Sequence, residues 1–186
     1  MRAFVAVVPP AEVVEHLDAF LDVRREAAAF RWSTPEQWHV TLAFAASVPE
    51  RSLDELDDLL AEAAARRVSF GMRVAGGGAF PHPDAARVLW AGLEPDDDAA
   101  LDQLATAARA AVSRAGARVD GQRFHPHLTL ARLGRPANVT SWVRLLDAYA
   151  DAPRWQVTEL ALVASHLGEG PRRRPRHEVL GTYALA

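Results

Sequence analysis

WHVTL, Trp38 to Leu42, and PHLTL, Pro126 to Leu130, are one phrase written twice in a single chain, with the second histidine 88 residues after the first. In an extended chain residues i and i+2 share a face. His39 therefore projects with Thr41 and His127 with Thr129, while Val40, Leu42, Leu128 and Leu130 turn the other way into apolar packing. Each phrase reads as a half-buried strand that delivers one imidazole and one hydroxyl. With 7 histidines and 7 threonines in 186 positions, His-x-Thr-apolar is expected by chance roughly 0.1 times, and twice in roughly one sequence in a hundred. Coincidence is a poor account of the repeat. A duplicated strand, kept for structure or for chemistry, is a better one.

Working outward from the first phrase, Arg2 to Val8 alternates and is rich in β-formers, and Pro9-Pro10 closes it. A helix follows from Ala11 to about Ala29, with Val13, Val14, Leu17, Phe20 and Leu21 at helical spacing. The polar RWSTPEQ leads into the motif strand near 38–45, which Pro49 stops. A second helix fits Ser52 to Arg67, and VSFGMRVAGGGAF reads as a strand running into a glycine-rich bend. The order then recurs: strand RVLWAGL, helix Asp97 to Arg114, motif strand near 125–132 and a helix from about Asn138 to Ala150. Strands over Trp155 to Ala164 and His177 to Leu185 complete the chain. Phe4 to Leu89 is 85 residues and His39 to His127 is 88. Strand and motif thus recur at nearly one offset, which predicts one domain over 1–186 built from two lobes by internal duplication. Equivalent strands are then expected side by side across a cleft.

Composition limits the chemistry. With 186 residues and 49% apolar content the chain can bury a core without staples. Zero cysteines exclude disulfides, thiolate catalysis and cysteine-ligated zinc, and favour a cytoplasmic setting. The opening MRAFVAVVPP is too short an apolar run for a signal segment, and no stretch approaches a membrane span. A net charge of −3 argues against a broad duplex-binding face, but leaves room for a small anion in a local pocket.

Two histidines facing each other suit concerted proton transfer, since imidazole holds or releases a proton near neutrality. The threonine hydroxyls suit non-bridging oxygens of a phosphoryl centre. Nothing in this scheme needs a metal or another cofactor. At this point the chain resembles the two-histidine (2H) phosphoesterases, and among them the RNA 2',3'-cyclic phosphodiesterases also called 2'-5' RNA ligases. RAFVAVVPP, WHVTLAF, FPHPDAARVLWAGL and RFHPHLTLAR carry the resemblance over nearly the whole chain. Ser165 fits the family's closing pattern, whereas His177 stands where a tyrosine is usual. The resemblance implies a bilobal α+β fold of mainly antiparallel sheet with helices outside and a central cleft. It implies hydrolysis of 2',3'-cyclic phosphate ends of RNA, tRNA fragments among them, to 2'-phosphates, with reversible 2'-5' RNA ligation as a companion activity. By position His39 becomes the proton donor and His127 the proton acceptor, with Thr41 and Thr129 gripping phosphate. A monomer without a membrane or an obligate protein partner is expected.

Other residues carry weaker signals. Arg132 falls on the opposite face from Thr129 by simple alternation, unless the strand bends, yet the family often has this arginine near phosphate. Phe80, Phe124 and His125 are candidates for base or RNA contact, and Trp38 also flanks a motif, although aromatic side chains more often pack cores. His125 and His127 with His39 compose a three-histidine zinc alternative, which leaves the two threonines unexplained. A non-catalytic RNA-end or nucleotide-binding module is the alternative from another class. Arg172, Arg173, Arg174 and Arg176 form either a solvated hairpin tip or a contact to RNA phosphates. Gly76-Gly77-Gly78 lacks the Lys-Ser/Thr ending of a phosphate loop. His16, His82 and His166 have no repeated context.

Overall fold

Val40 pairs with Leu128, and the sheet is arranged outward from that contact. A computed structural model describes residues 1–186. The strands are β1 (Ala3–Val7), β2 (Arg31–Trp32), β3 (Val40–Ala45), β4 (Phe70–Phe80), β5 (Ala86–Pro95), β6 (Leu128–Ala137), β7 (Trp155–Val157), β8 (Glu159–His166) and β9 (Arg176–Ala184). The helices are α1 (Ala11–Arg25), α2 (Leu53–Ala65), α3 (Asp98–Arg114) and α4 (Thr140–Asp147). The strand order is β7-β4-β5-β6-β3-β1-β8-β9, with β2 beside β6. Every pairing is antiparallel. The fold is α+β, with one half of the sheet on each side of the β3–β6 seam.

Connectivity forces the sheet to curl. β7 lies at one end of the order and β8 next to the other end, yet only Thr158 separates them. Two peptide steps span about 7 Å, so the two ends must approach. The backbone around this join is tied as well: Leu185 N donates to Thr158 O at 2.8 Å and Ala186 N to Arg67 O at 2.7 Å. The single strand expected over Trp155 to Ala164 is therefore two strands that serve opposite halves. Sequence alternation cannot mark such a change of neighbour.

Alternation sorts the two faces of β1. Ala3, Val5 and Val7 join the main core with Val40, Leu42, Leu89 and Leu130. Phe4 and Ala6 join Ala161 and Val163 in a small cluster on the other face. α1 sends Val13, Leu17 and Leu21 into the core; α3 packs on α2 and β3, α2 on β9 and α4 on β4. Asp97 is the cap of α3 rather than its first residue, accepting a bond from Ala99 N at 2.9 Å. Asn138 likewise accepts from Thr140 N at 2.9 Å, so α4 starts later than expected and ends at Asp147. α1 stops at Arg25, short of Ala29, and α2 ends at Ala65, short of Arg67. No helix is long and apolar enough to cross a membrane.

Two bulges decide what faces the open side. On β3, Thr41 pairs with Ala6 and Ala43 with Val5, leaving Leu42 as an extra residue. On β6, Thr129 pairs with Trp90 and Ala131 with Leu89, leaving Leu130 extra. Leu42, Ala43, Leu130 and Ala131 are all buried. An extra residue resets alternation, so Phe44 returns to the face of Thr41, and Arg132 to that of Thr129.

The glycine run is not a bend at the end of a strand. Gly77 and Gly78 pair with Ala91 and Trp90 inside β4, and the irregularity lies earlier, between Val74 and Gly77, where Gly76 takes φ +74. Gly78 is required because the Trp90 indole lies over it: a Cβ there would meet Trp90 Cζ2 at 2.2 Å. Gly78→Ala is expected to destabilise the fold by about 1–3 kcal/mol through this overpacking. In Gly134→Ala the added methyl meets nothing within 4 Å, and the urea midpoint is expected to stay near wild type. Equal midpoints for the two variants would contradict the packing account.

Candidate active site

The two imidazoles are oriented by the same local device. His39 Nδ1 lies 2.7 Å from the carbonyl of Gln37, and His127 Nδ1 lies 2.6 Å from that of His125. A carbonyl oxygen only accepts, so Nδ1 carries the hydrogen in both rings. Nε2 is then the ring nitrogen left with a free lone pair. Continuing the Val40–Leu128 register sets His39 opposite Thr129 and Thr41 opposite His127. Each half thus presents its imidazole beside the other half's hydroxyl.

Both dyads line one cleft of about 410 Å³, with Arg132 beside them. Phe4 stacks flat on His39, with ring centroids 4.4 Å apart and planes at 19°. Phe80 meets His127 edge-on at 4.9 Å, and Trp90 lies 5.9 Å from it. Desolvation by these surroundings is the main cause that lowers His39 from the ordinary histidine value to about 4, and it lowers His127 as well. The Gln37 and His125 carbonyls oppose that shift, while neighbouring histidines and Arg132 add to it. Both rings are therefore mainly neutral near pH 7.

The cleft is prepared for one. Arg31 pairs with Arg132 across β2 and β6, and both line the cavity. Like charges opposite one another repel, and an anion between them relieves the repulsion. Arg132, doubtful from alternation alone, reaches the cleft because of the Leu130 bulge. His177 lies opposite Ser165 in the β8–β9 pair, with its ring 5.5 Å from His39 and 5.1 Å from Phe4, so it is part of the same wall.

The weaker candidates divide. Trp38 is core, 3% exposed. Phe80, Phe124 and His125 line a second cavity of about 570 Å³ that opens beside the first and shares Thr41, Phe44, Asp120 and His127 with it. Phe124 also packs against the core. His125 turns its ring to Phe80 and Trp90, at 5.5 and 4.9 Å. No three His, Cys, Asp or Glu side chains are grouped to hold a metal ion, so the three-histidine arrangement is not formed. Of the arginine run, Arg174 lines the cleft, whereas Arg176 pairs with Glu169 at 2.8 Å. Sequence reasoning missed Arg2, Phe4, Arg31, Ser33, Gln37 and Phe44 in the lining. RWSTPEQ, directly before the first motif phrase, was the available signal for three of them.

Comparison with known proteins places the whole chain rather than single residues. The sequence profile described as the 2'-5' RNA ligase superfamily matches residues 9–169. The chain is 31% identical to the RNA 2',3'-cyclic phosphodiesterase of Thermus thermophilus, over 100% of this chain and 90% of that protein. Against the RNA 2',3'-cyclic phosphodiesterase of Geobacillus stearothermophilus it is 27% identical over 98% of its own length, and it spans 56% of that protein. Among solved structures, TT0787 of Thermus thermophilus superposes with a TM-score of 0.76 at 31% identity, covering 100% of this chain and 98% of the other. E. coli LigT complexed with 3'-AMP gives 0.77 at 27% identity, again covering 100% and 98%. With the paired dyads, their common cleft and a profile that spans most of its length, this chain belongs to the 2'-5' RNA ligase superfamily.

Proposed function

We propose that the protein hydrolyses 2',3'-cyclic phosphate at the 3' end of RNA to a 2'-phosphate, with its own side chains as acid and base. The observation that carries this reading is the pair of imidazoles with Nδ1 committed to backbone and Nε2 free in one cleft, beside two threonines and Arg132. His127 Nε2 takes a proton from water as the water oxygen attacks phosphorus. The bond from phosphorus to the 3' oxygen breaks, and that oxygen receives the proton of His39 Nε2. The products are a 2'-phosphate and a 3'-hydroxyl, and proton exchange with solvent resets the rings. Thr41, Thr129 and Arg132 hold the non-bridging oxygens as charge builds on them.

In the free protein burial keeps His39 mainly unprotonated at pH 7. A bound phosphate anion raises its affinity for the proton. The donor role of His39 follows from its place in the first motif phrase. Ligation follows the same path with the 5'-hydroxyl of a second RNA in place of water: that hydroxyl gives its proton to His127, the bond from phosphorus to the 3' oxygen breaks, and a 2'-5' phosphodiester forms. All 21 Lys and Arg residues are arginine, so a lysine-linked nucleotide intermediate has no residue to form on. We read the two halves as an internal duplication, because Val40 and Leu128 are equivalent, directly paired, and each followed two residues later by a bulge. A monomer in the cytoplasm acting on RNA ends, tRNA fragments included, fits this reading.

His39→Ala and His127→Ala are each expected to lower turnover of a 2',3'-cyclic nucleotide by about 10²–10⁴-fold, with wild-type activity surviving EDTA. Equal background turnover in all three proteins would favour a binding module, and loss in chelator with recovery on zinc a metal enzyme. A substrate with sulfur in place of the bridging 3' oxygen needs no acid to leave. It is expected to rescue His39→Ala and not His127→Ala, and the opposite result would exchange the two roles. Since both free-state values are lowered, kcat/KM is expected to peak on the acid side of the ordinary histidine value. kcat, which reports the phosphate-bound protein, is expected to peak at higher pH. Coincident optima would contradict the electrostatic account.

A further inference from the structure

The cleft holds more positive charge than a single phosphodiester requires. Arg2, Arg31, Arg132 and Arg174 line it against one carboxylate, Asp120. None of these four arginines belongs to an ion pair of the protein, although other arginines do. A 2',3'-cyclic phosphate carries one negative charge, which Arg132 on the Thr129 strand is placed to meet. Arg174 stands apart on the β8–β9 connection and has no partner there.

That connection is built to hold Arg174 at the cleft. Gly170 N donates to Arg174 O at 2.7 Å, and a Cβ on Gly170 would meet the same oxygen at 2.6 Å. Arg176 is held back by Glu169 at 2.8 Å and Glu178 at 3.8 Å. Gln37 Nε2 donates to Pro175 O at 2.6 Å, and the carbonyl of the same Gln37 accepts from His39. One residue thus orients the imidazole and anchors the base of the arginine connection. Arg172 and Arg173 precede Arg174 in left-handed conformations, with φ 55 and 59, and are exposed.

We infer that Arg174 is the anchor of a second phosphate subsite, for the phosphate attached to the 5' oxygen of the ribose that bears the cyclic ester. The inference rests on the catalytic reading above, in which His39 meets the ribose 3' oxygen. The ribose then lies on the His39 side of the cleft, and its 5' substituent extends toward the connection that Gln37 ties beside His39. Arg2, whose guanidinium lies 4.4 Å over the Phe44 ring, adds positive potential to the same cleft. The preferred substrate class is an RNA end with a phosphate on each side of its last ribose, in contrast to a lone cyclic nucleoside phosphate.

Three probes separate the sources of that second phosphate: adenosine 2',3'-cyclic phosphate, its 5'-phosphorylated form, and the dinucleotide ApA with a 2',3'-cyclic end. Wild type is expected to favour both two-phosphate substrates by about tenfold in kcat/KM. Arg174→Ala is expected to lose most of that preference, and Arg174→Lys to keep part of it. The salt dependence is expected to be steeper by about 0.7 in log–log slope for the two-phosphate substrates in wild type alone. Equal kcat/KM on all three, or an equal loss on all three in Arg174→Ala, overturns the inference. Preference for the dinucleotide alone also overturns it, since the contact is then with the second nucleoside. Calorimetry keeps the subsite testable without turnover: wild type is expected to bind adenosine 2',5'-bisphosphate about tenfold tighter than adenosine 2'-phosphate, and Arg174→Ala equally. Tight bisphosphate binding without hydrolysis would sink the catalytic reading and leave the subsite standing; equal affinities in wild type would sink the subsite.

Discussion

One backbone pairing, Val40 with Leu128, joins the two halves of this sheet and places its chemistry. Because the paired residues sit at the centre of the two repeated phrases, the residue on either side of each is fixed by symmetry of position. A histidine of one strand comes opposite a threonine of the other, on the face away from the main core. A slip of one residue would turn an imidazole into the apolar layer and a leucine into the cleft. The buried leucines and valines of these strands, Val40, Leu42, Leu128 and Leu130, hold that register. Packing energy and the geometry of the cleft are thus settled by the same residues.

Electrostatics follows from that placement. Rings packed against Phe4, Phe80 and Trp90 lose water, and loss of water lowers their affinity for protons. Arginines without carboxylate partners create the opposing demand, for an anion. The free cleft combines neutral imidazoles with unpaired positive charge, the electrostatics of a site for an anion. No acidic residue contacts the imidazoles as an orienting partner; the backbone carbonyls of Gln37 and His125 take that part. A neutral orienter fixes the tautomer without the strong rise in proton affinity that a carboxylate would cause.

The dyads were legible in the sequence because a period of two and a repeated phrase are local signals. The order of strands and helices was legible for the same reason, and α1 to α4 fall within their expected spans. What the sequence withheld depends on partners far away in the chain. The bulges at Leu42 and Leu130 appear only once β1 and β5 are laid beside them, and they alone carry Arg132 and Phe44 to the open face. The break at Thr158 appears only when β4 and β1 claim its two sides. RWS looked like a polar connection until Arg31 and Trp32 paired with β6. The triple glycine looked like a bend until Trp90 required a flat surface beneath its ring.

The central claim is that these two histidines open a cyclic phosphate toward one particular oxygen. Phosphorus NMR of the product from an RNA ending in 2',3'-cyclic phosphate tests it most directly. The account predicts a single 2'-phosphomonoester with a free 3'-hydroxyl; a 3'-phosphomonoester, a mixture of the two, or unchanged cyclic ester would contradict it.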